Sequence, residues 1–61
     1  MSTLEERIRD VEAEIVKNTV RFDKAIDEGN DEDKKMYANL ITAKETRLNI
    51  LLQQQSQPQG E

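Results

Sequence analysis

Two apolar stripes at helical spacing, separated by one hinge, Asp27-Glu28-Gly29-Asn30-Asp31, confine what this chain can fold into. In the first half Leu4, Ile8, Val11, Ile15, Phe22 and Ala25 recur at alternating three- and four-residue steps, with Asn18 as the one polar interruption. Side chains so spaced share one face of an α-helix. In the second half Tyr37, Ile41, Leu48 and Leu51 repeat the pattern, and Lys44 holds the missing step.

The helix ends are marked as clearly as the faces. Thr3-Leu4-Glu5-Glu6 is a capping box, in which the Thr3 hydroxyl accepts from the Glu6 amide while the Glu6 carboxylate reaches back; Ser2 with Glu5 offers the same box one residue earlier. No glycine or proline interrupts the chain from there to Glu28, and Glu5 precedes Arg9 by one helical turn in the favourable orientation for an ion pair. Gly29 then stands where a helix terminus calls for positive φ, and Asn30 or Asp31 can cap the next helix, whose first turn carries Asp31, Glu32 and Asp33 at the positive end of its dipole. A break this short joins antiparallel neighbours. The competing arrangement, one continuous helix through Gly29, costs about 1 kcal/mol relative to alanine and leaves the capping signals unused.

The expected organisation is a hairpin over residues 1–55, with a helix from about Thr3 to Glu28, a turn at Gly29-Asn30 and a helix from about Asp31 to Gln55. The glutamine-rich stretch that follows, residues 56–61, has no apolar side chain to offset the entropy of ordering and is expected to be a disordered polar tail.

The two faces differ in width. At about 100° per residue, Leu4, Ile8, Val11, Ile15, Phe22, Ala25 and Ile26 fall within one arc of about 100°, while Val16 and Val20 make a small patch on the far side. In the second helix Met36, Leu40, Ala43 and Ile50 form one seam, and Tyr37, Ile41, Leu48, Leu51 and Leu52 extend it sideways to nearly half the circumference. One partner helix covers only a narrow seam, about two positions in seven, so the second helix is expected to touch two neighbours.

Size leads to the same expectation. A chain of 61 residues lies below the roughly 70–80 at which a single core supplies a comfortable margin of stability. It has no cysteine and no histidine, which removes disulfides, thiolate sites and the usual zinc ligand sets. Association is the remaining supplement, and a two-fold dimer of hairpins, closing a four-helix bundle, is the commonest form of it. A helix of another protein laid on the broad face, or a place within a longer coiled coil, would serve the same need. Asn18 on the seam is the candidate for fixing register, against the alternative that it sits at the boundary with its amide in water. Lys44 and Arg47 are expected to bury their stems and lift their charges to solvent, with Glu14 a candidate partner across the helices.

Composition removes most other function classes. Catalysis needs positioned nucleophiles, bases or metals, and this chain offers one tyrosine and carboxylates spread over solvated faces; Glu12 with Asp23, or Asp31 with Asp33, would be acid pairs in open water. Asp27, Asp31 and Asp33 lack the loop order and closing glutamate of a calcium hand. No enzyme activity, cofactor, metal site or small-molecule substrate is expected. The net charge of −4 argues against phosphate backbones and anionic lipid surfaces. Arg7, Lys17, Arg21 and Lys24 do line one flank of the first helix, which leaves a dimeric regulator contacting RNA or DNA as the alternative reading, but Glu6, Asp10, Glu14 and Glu28 share that flank and largely neutralise it. No stretch approaches the roughly 20 apolar residues of a membrane span, and the amino-terminal residues have neither the basic nor the apolar region of an export signal. A soluble, cytoplasmic protein is expected.

The layout of Thr3–Glu28, Gly29-Asn30, Asp31–Gln55 and a short polar tail resembles that of the Rop family of small plasmid-copy-number proteins, whose two-helix hairpins dimerise into a four-helix bundle. The resemblance is one of layout across almost the whole chain, without a shared motif of specific residues. It implies the dimeric bundle. The function expected is that of a homodimeric oligomerisation or protein–protein interaction module, acting through Leu4, Ile8, Val11, Ile15, Phe22, Ile26, Met36, Tyr37, Leu40, Ile41, Leu48 and Leu51, with self or another helical protein as partner.

Overall fold

A computed structural model describes residues 3–56 as two α-helices, α1 (Leu4–Glu28) and α2 (Asp31–Ser56), packed side by side as a hairpin. Extents of 51 × 18 × 14 Å are those of a rod two helices wide and one deep. The residues after Ser56, where the disordered tail was expected, lie outside the described residues; Ser56 itself closes α2, its hydroxyl donating to the Gln53 carbonyl at 3.2 Å.

Thr3 opens α1 in extended conformation, φ −74° and ψ 165°, and both halves of its capping box form: the Glu6 amide donates to Thr3 Oγ1 at 3.1 Å, and the Thr3 amide donates to Glu6 Oε1 at 3.2 Å. At the other end Gly29 takes φ 68° and ψ 25°, its amide donates to the Ile26 carbonyl at 3.1 Å, and the Asn30 amide donates to the Ala25 carbonyl at 2.9 Å. This pair of reversed bonds satisfies carbonyls the helix would leave unpaired. Asn30 serves both helices. Its amide closes α1, while its side chain opens α2 by accepting from the Asp33 amide at 3.1 Å and donating to Asp33 Oδ2 at 3.0 Å.

The two-residue connection therefore leaves no slack. Open space surrounds the point where a Gly29 side chain would start, so alanine there strains only the backbone. Gly29→Ala is expected to cost about 1 kcal/mol and to lower the thermal midpoint by about 5 °C. An alanine variant as stable as the parent would show that positive φ at the hinge is not needed in solution.

Between the helices runs a thin core. Ile8, Val11 and Leu51 are buried together, with Leu4, Ile15 and Leu48 packed against them, and Ala25 is buried near the hinge. Phe22, Tyr37 and Ile41 fill the remaining steps and are half-buried. Among the described residues no side chain is fully enclosed. A two-helix rod has only one internal seam, so every core residue keeps an edge in water. Among the described residues, no helix is long and apolar enough to cross a membrane.

The rotation of α2 turns inward the stripe that repeats the α1 pattern in the sequence and leaves the Met36, Leu40, Ala43 and Ile50 seam outside. The stripe turned toward α1 is Tyr37, Ile41, Lys44, Leu48 and Leu51, whereas Met36, Leu40 and Ile50 are 46%, 40% and 51% exposed. The stripes lie one residue apart, so a turn of about 100° exchanges them, and the tight Gly29-Asn30 connection sets which faces inward. Ile26, placed within the inner arc by the wheel, is 49% exposed, because Ala25 occupies the inner position of that last turn.

Candidate interaction surface

Each helix presents three kinds of surface, defined by their position relative to the seam. In α1 the seam is followed outward by charge in every turn: Glu5, Glu6 and Arg7, then Arg9 and Asp10, Glu12 and Glu14, Lys17, Arg21 and Asp23, and Lys24, Asp27 and Glu28. In α2 the charges are confined to its amino-terminal end and its middle. From Met36 to Ser56 the only charged residues are Lys44, Glu45 and Arg47. Depletion of charge over a half-apolar surface is the compositional mark of an interface interior.

The exposed apolar residues concentrate on α2 as well. Met36, Leu40, Ala43, Arg47, Ile50 and Gln54 stand at alternating four- and three-residue steps, the first five each one position before a residue of the inner seam. A depression beside this stripe is lined by Arg7 of α1 together with Ala43, Arg47, Ile50 and Gln54, which places the Arg7 flank of α1 on the same side of the rod. Near the hinge Arg21, Lys24 and Glu28 line a second depression with Asp33 and Tyr37 on that side. The exposed Val16 and Val20, each 62% exposed, and Leu52, 40% exposed, do not join the stripe.

Lys44 and Glu14 form the one ion pair between the helices found among the described residues, N to O 2.5 Å. Lys44 occupies an inner step of α2, keeps its stem on the seam and carries its ammonium to the edge, where Glu14 meets it. The hydrogen bond from Lys44, and then its charge, hold the Glu14 carboxyl below its ordinary pKa, with Lys17 and Arg47 acting in the same direction. A lowered carboxyl pKa adds stability above the unfolded-state value, and that contribution is lost as pH falls through the lower folded-state value. The pair is solvent-exposed and its contribution correspondingly small. The expected outcome is a modest gap in thermal midpoint between the parent and Glu14→Gln at neutral pH that closes as the solution is acidified through the carboxylate range. A gap that persists at acid pH would show that Glu14 acts through packing rather than charge.

Asn18 is half-buried on the inner line of α1, between full burial and the open boundary position. Of the residues expected to form the adhesive face, the structure brings together Leu4, Ile8, Val11, Ile15, Phe22, Tyr37, Ile41, Leu48 and Leu51 along the seam, and leaves Ile26, Met36 and Leu40 outside it. Among the described residues no group of three or more His, Cys, Asp or Glu side chains is placed to hold a metal ion. Ile50 belongs to the outer stripe as fully as Met36 and Leu40, a membership signalled by its spacing from Leu40 and Ala43.

Compared with known proteins, the chain matches no family model, no curated protein and no solved structure. The likeness to the Rop family therefore stays at the level of layout.

Proposed function

We propose that the protein is a non-catalytic oligomerisation module, a helical hairpin that self-associates through its apolar helix faces, as a homodimer closing a four-helix bundle. The observation that carries this reading is the outer stripe of α2: Met36, Leu40 and Ile50 are between 40% and 51% exposed on a stretch, Met36 to Ser56, whose only charged residues are Lys44, Glu45 and Arg47. Complete burial of such a side chain contributes roughly 1.5–3 kcal/mol, which is large beside the margin of so thin a core. A helix of another protein is the competing occupant of the same face. Contact with RNA or DNA through the α1 flank is the weaker reading, because Glu6, Asp10, Glu14 and Glu28 share that flank with the basic residues. With no cysteine in the chain, the module suits a reducing compartment such as the cytoplasm.

Thermal unfolding followed by circular dichroism at several protein concentrations tests the reading. When only the assembled form is stably folded, mass action raises the midpoint with concentration. A rise of several degrees over a hundredfold range of concentration is expected. A midpoint independent of concentration contradicts self-association.

A further inference from the structure

The occupant of the outer stripe, and its register, can be argued from the charges beside it, an inference that rests on the self-association proposed above. In each helix the outer line is the inner seam displaced by one residue toward the amino terminus: Arg7, Asp10, Glu14, Lys17, Arg21 and Lys24 in α1, and Met36, Leu40, Ala43, Arg47, Ile50 and Gln54 in α2. Because the helices are antiparallel, both displacements turn to the same side of the rod, as the shared depression between Arg7 and Ile50 shows. One side of the hairpin is thus an apolar line, broken by Arg47, next to a charged line in which Asp10 and Glu14 stand between Arg7 and the three basic residues Lys17, Arg21 and Lys24.

A two-fold axis along the rod would lay the charged line of α1 on the apolar line of the partner's α2, whereas an axis across the rod pairs each line with itself in the reverse direction, apolar on apolar and charge on charge. In an antiparallel seam, positions reached by a four-residue step face positions reached by a three-residue step. For α2 the arrangement that keeps the stripe in layers places the axis level with Glu45, so that Leu40 meets the partner's Ile50, and Arg47 meets the small Ala43 of the partner subunit. For α1 the same rule places the axis between Ile15 and Val16. Asp10 then meets the partner's Arg21, and Glu14 meets the partner's Lys17. The remaining charged meeting, Arg7 with the partner's Lys24, is unfavourable and lies farthest from the axis.

Each helix was assigned its register without reference to the other. The Glu14–Lys44 contact fixes their relative height within the hairpin, and by that contact the two axes agree to within about 4 Å along the rod, fewer than three helical rises. We infer that the outer face of the hairpin docks on the same face of a second copy about a two-fold axis near the middle of the helices, with Leu40 against the partner's Ile50 and Asp10 and Glu14 against the partner's Arg21 and Lys17. The order of signs on the α1 flank then has a use: although the line carries four basic and two acidic residues, its own reverse in this register sets each acid against a base.

A charge swap separates this arrangement from general effects. Asp10 and Arg21 lie eleven residues apart on one helix, about 16 Å at 1.5 Å per residue, and cannot pair within a chain. Asp10→Arg also makes the acidic chain less negative, so repulsion between copies alone would strengthen the dimer. In the proposed register the same change places arginine against arginine at two symmetric sites. Analytical ultracentrifugation should show Asp10→Arg and Arg21→Asp each weakening dimerisation by about tenfold, and the double variant Asp10→Arg/Arg21→Asp restoring it. Should a single variant fail to fold, a cysteine pair decides, because the chain has no cysteine of its own. Leu40→Cys/Ile50→Cys cannot bridge within one helix, where the positions are about 15 Å apart, and should give a covalent dimer on oxidation.

A parent that dimerises while Asp10→Arg dimerises as well or better, or while the cysteine pair stays uncrosslinked, overturns this face and register and leaves self-association standing. A parent that is monomeric overturns both.

Discussion

Leu51→Asp is expected to abolish the helical circular-dichroism signal of the protein. Leu51 is 6% exposed and closes the inner seam against Ile8 and Val11, the other large side chains buried among the described residues. Truncating a buried leucine costs about 2–5 kcal/mol, and placing a carboxylate among apolar neighbours adds to it. A single core of this size supplies roughly 3–5 kcal/mol in all. Asn49→Asp, an exposed position two residues earlier, brings the same charge to the same part of α2 and should leave the helix content unchanged. A Leu51→Asp variant that still melts cooperatively near the parent's midpoint would mean that the seam between α1 and α2 is not the core.

The second large effect is expected one residue away. Ile50 is 51% exposed in the single hairpin, and a substitution at so open a position in a monomer changes stability by no more than about 0.5 kcal/mol. In the proposed dimer Ile50 lies in the seam between copies, and the two-fold axis places the change there twice. Ile50→Glu should therefore raise the dissociation constant at least about a hundredfold, with a fall in thermal midpoint at low concentration, because two apolar contacts are lost and two carboxylates are desolvated. The two substitutions strike different contacts: Leu51 belongs to the seam within one hairpin and Ile50 to the proposed seam between copies. An Ile50→Glu variant that matches the parent in mass and midpoint would leave the outer stripe as an ordinary wet surface.

Much of the hairpin could be read from local chemistry, because its boundaries are set by residues that act on their own neighbours. The Thr3–Glu6 capping box, the positive φ of Gly29 and the Asn30 cap each depend on residues no more than about one turn away, and each formed as its sequence suggests. The inner seam of α1 was legible for a similar reason, its apolar residues leaving little choice of face, although Ile26 fell outside it once Ala25 had taken the inner position. The α2 face was legible only as two rival stripes, one of them the Tyr37, Ile41, Lys44, Leu48 and Leu51 line that faces α1. Its two stripes are one residue apart and of similar hydrophobicity, so local preference does not choose between Leu40 and Ile41 or between Ile50 and Leu51. The choice comes from the rotation imposed by the two-residue turn, which is tertiary geometry.

The electrostatic pattern behaved in the same way. Glu14 was a recognisable candidate for Lys44, since each stands at or beside a seam position, and the structure joins them. The proposed matching of Asp10 with the partner's Arg21 and of Glu14 with the partner's Lys17 follows from the α1 line alone, but its agreement with the α2 stripe needs the relative height of the helices, which only the folded hairpin supplies. Read as a strip of sequence, that flank was a balanced mixture of signs. Aligned beside the apolar stripe of α2, it becomes an ordered one.

Sedimentation equilibrium of the purified chain across a wide range of concentrations tests self-association most directly. The expected result is a species of twice the 7.1 kDa chain mass at micromolar concentration and above, dissociating on dilution together with loss of helical signal. A folded particle of single-chain mass at every concentration, with a sharp thermal transition of its own, would contradict it.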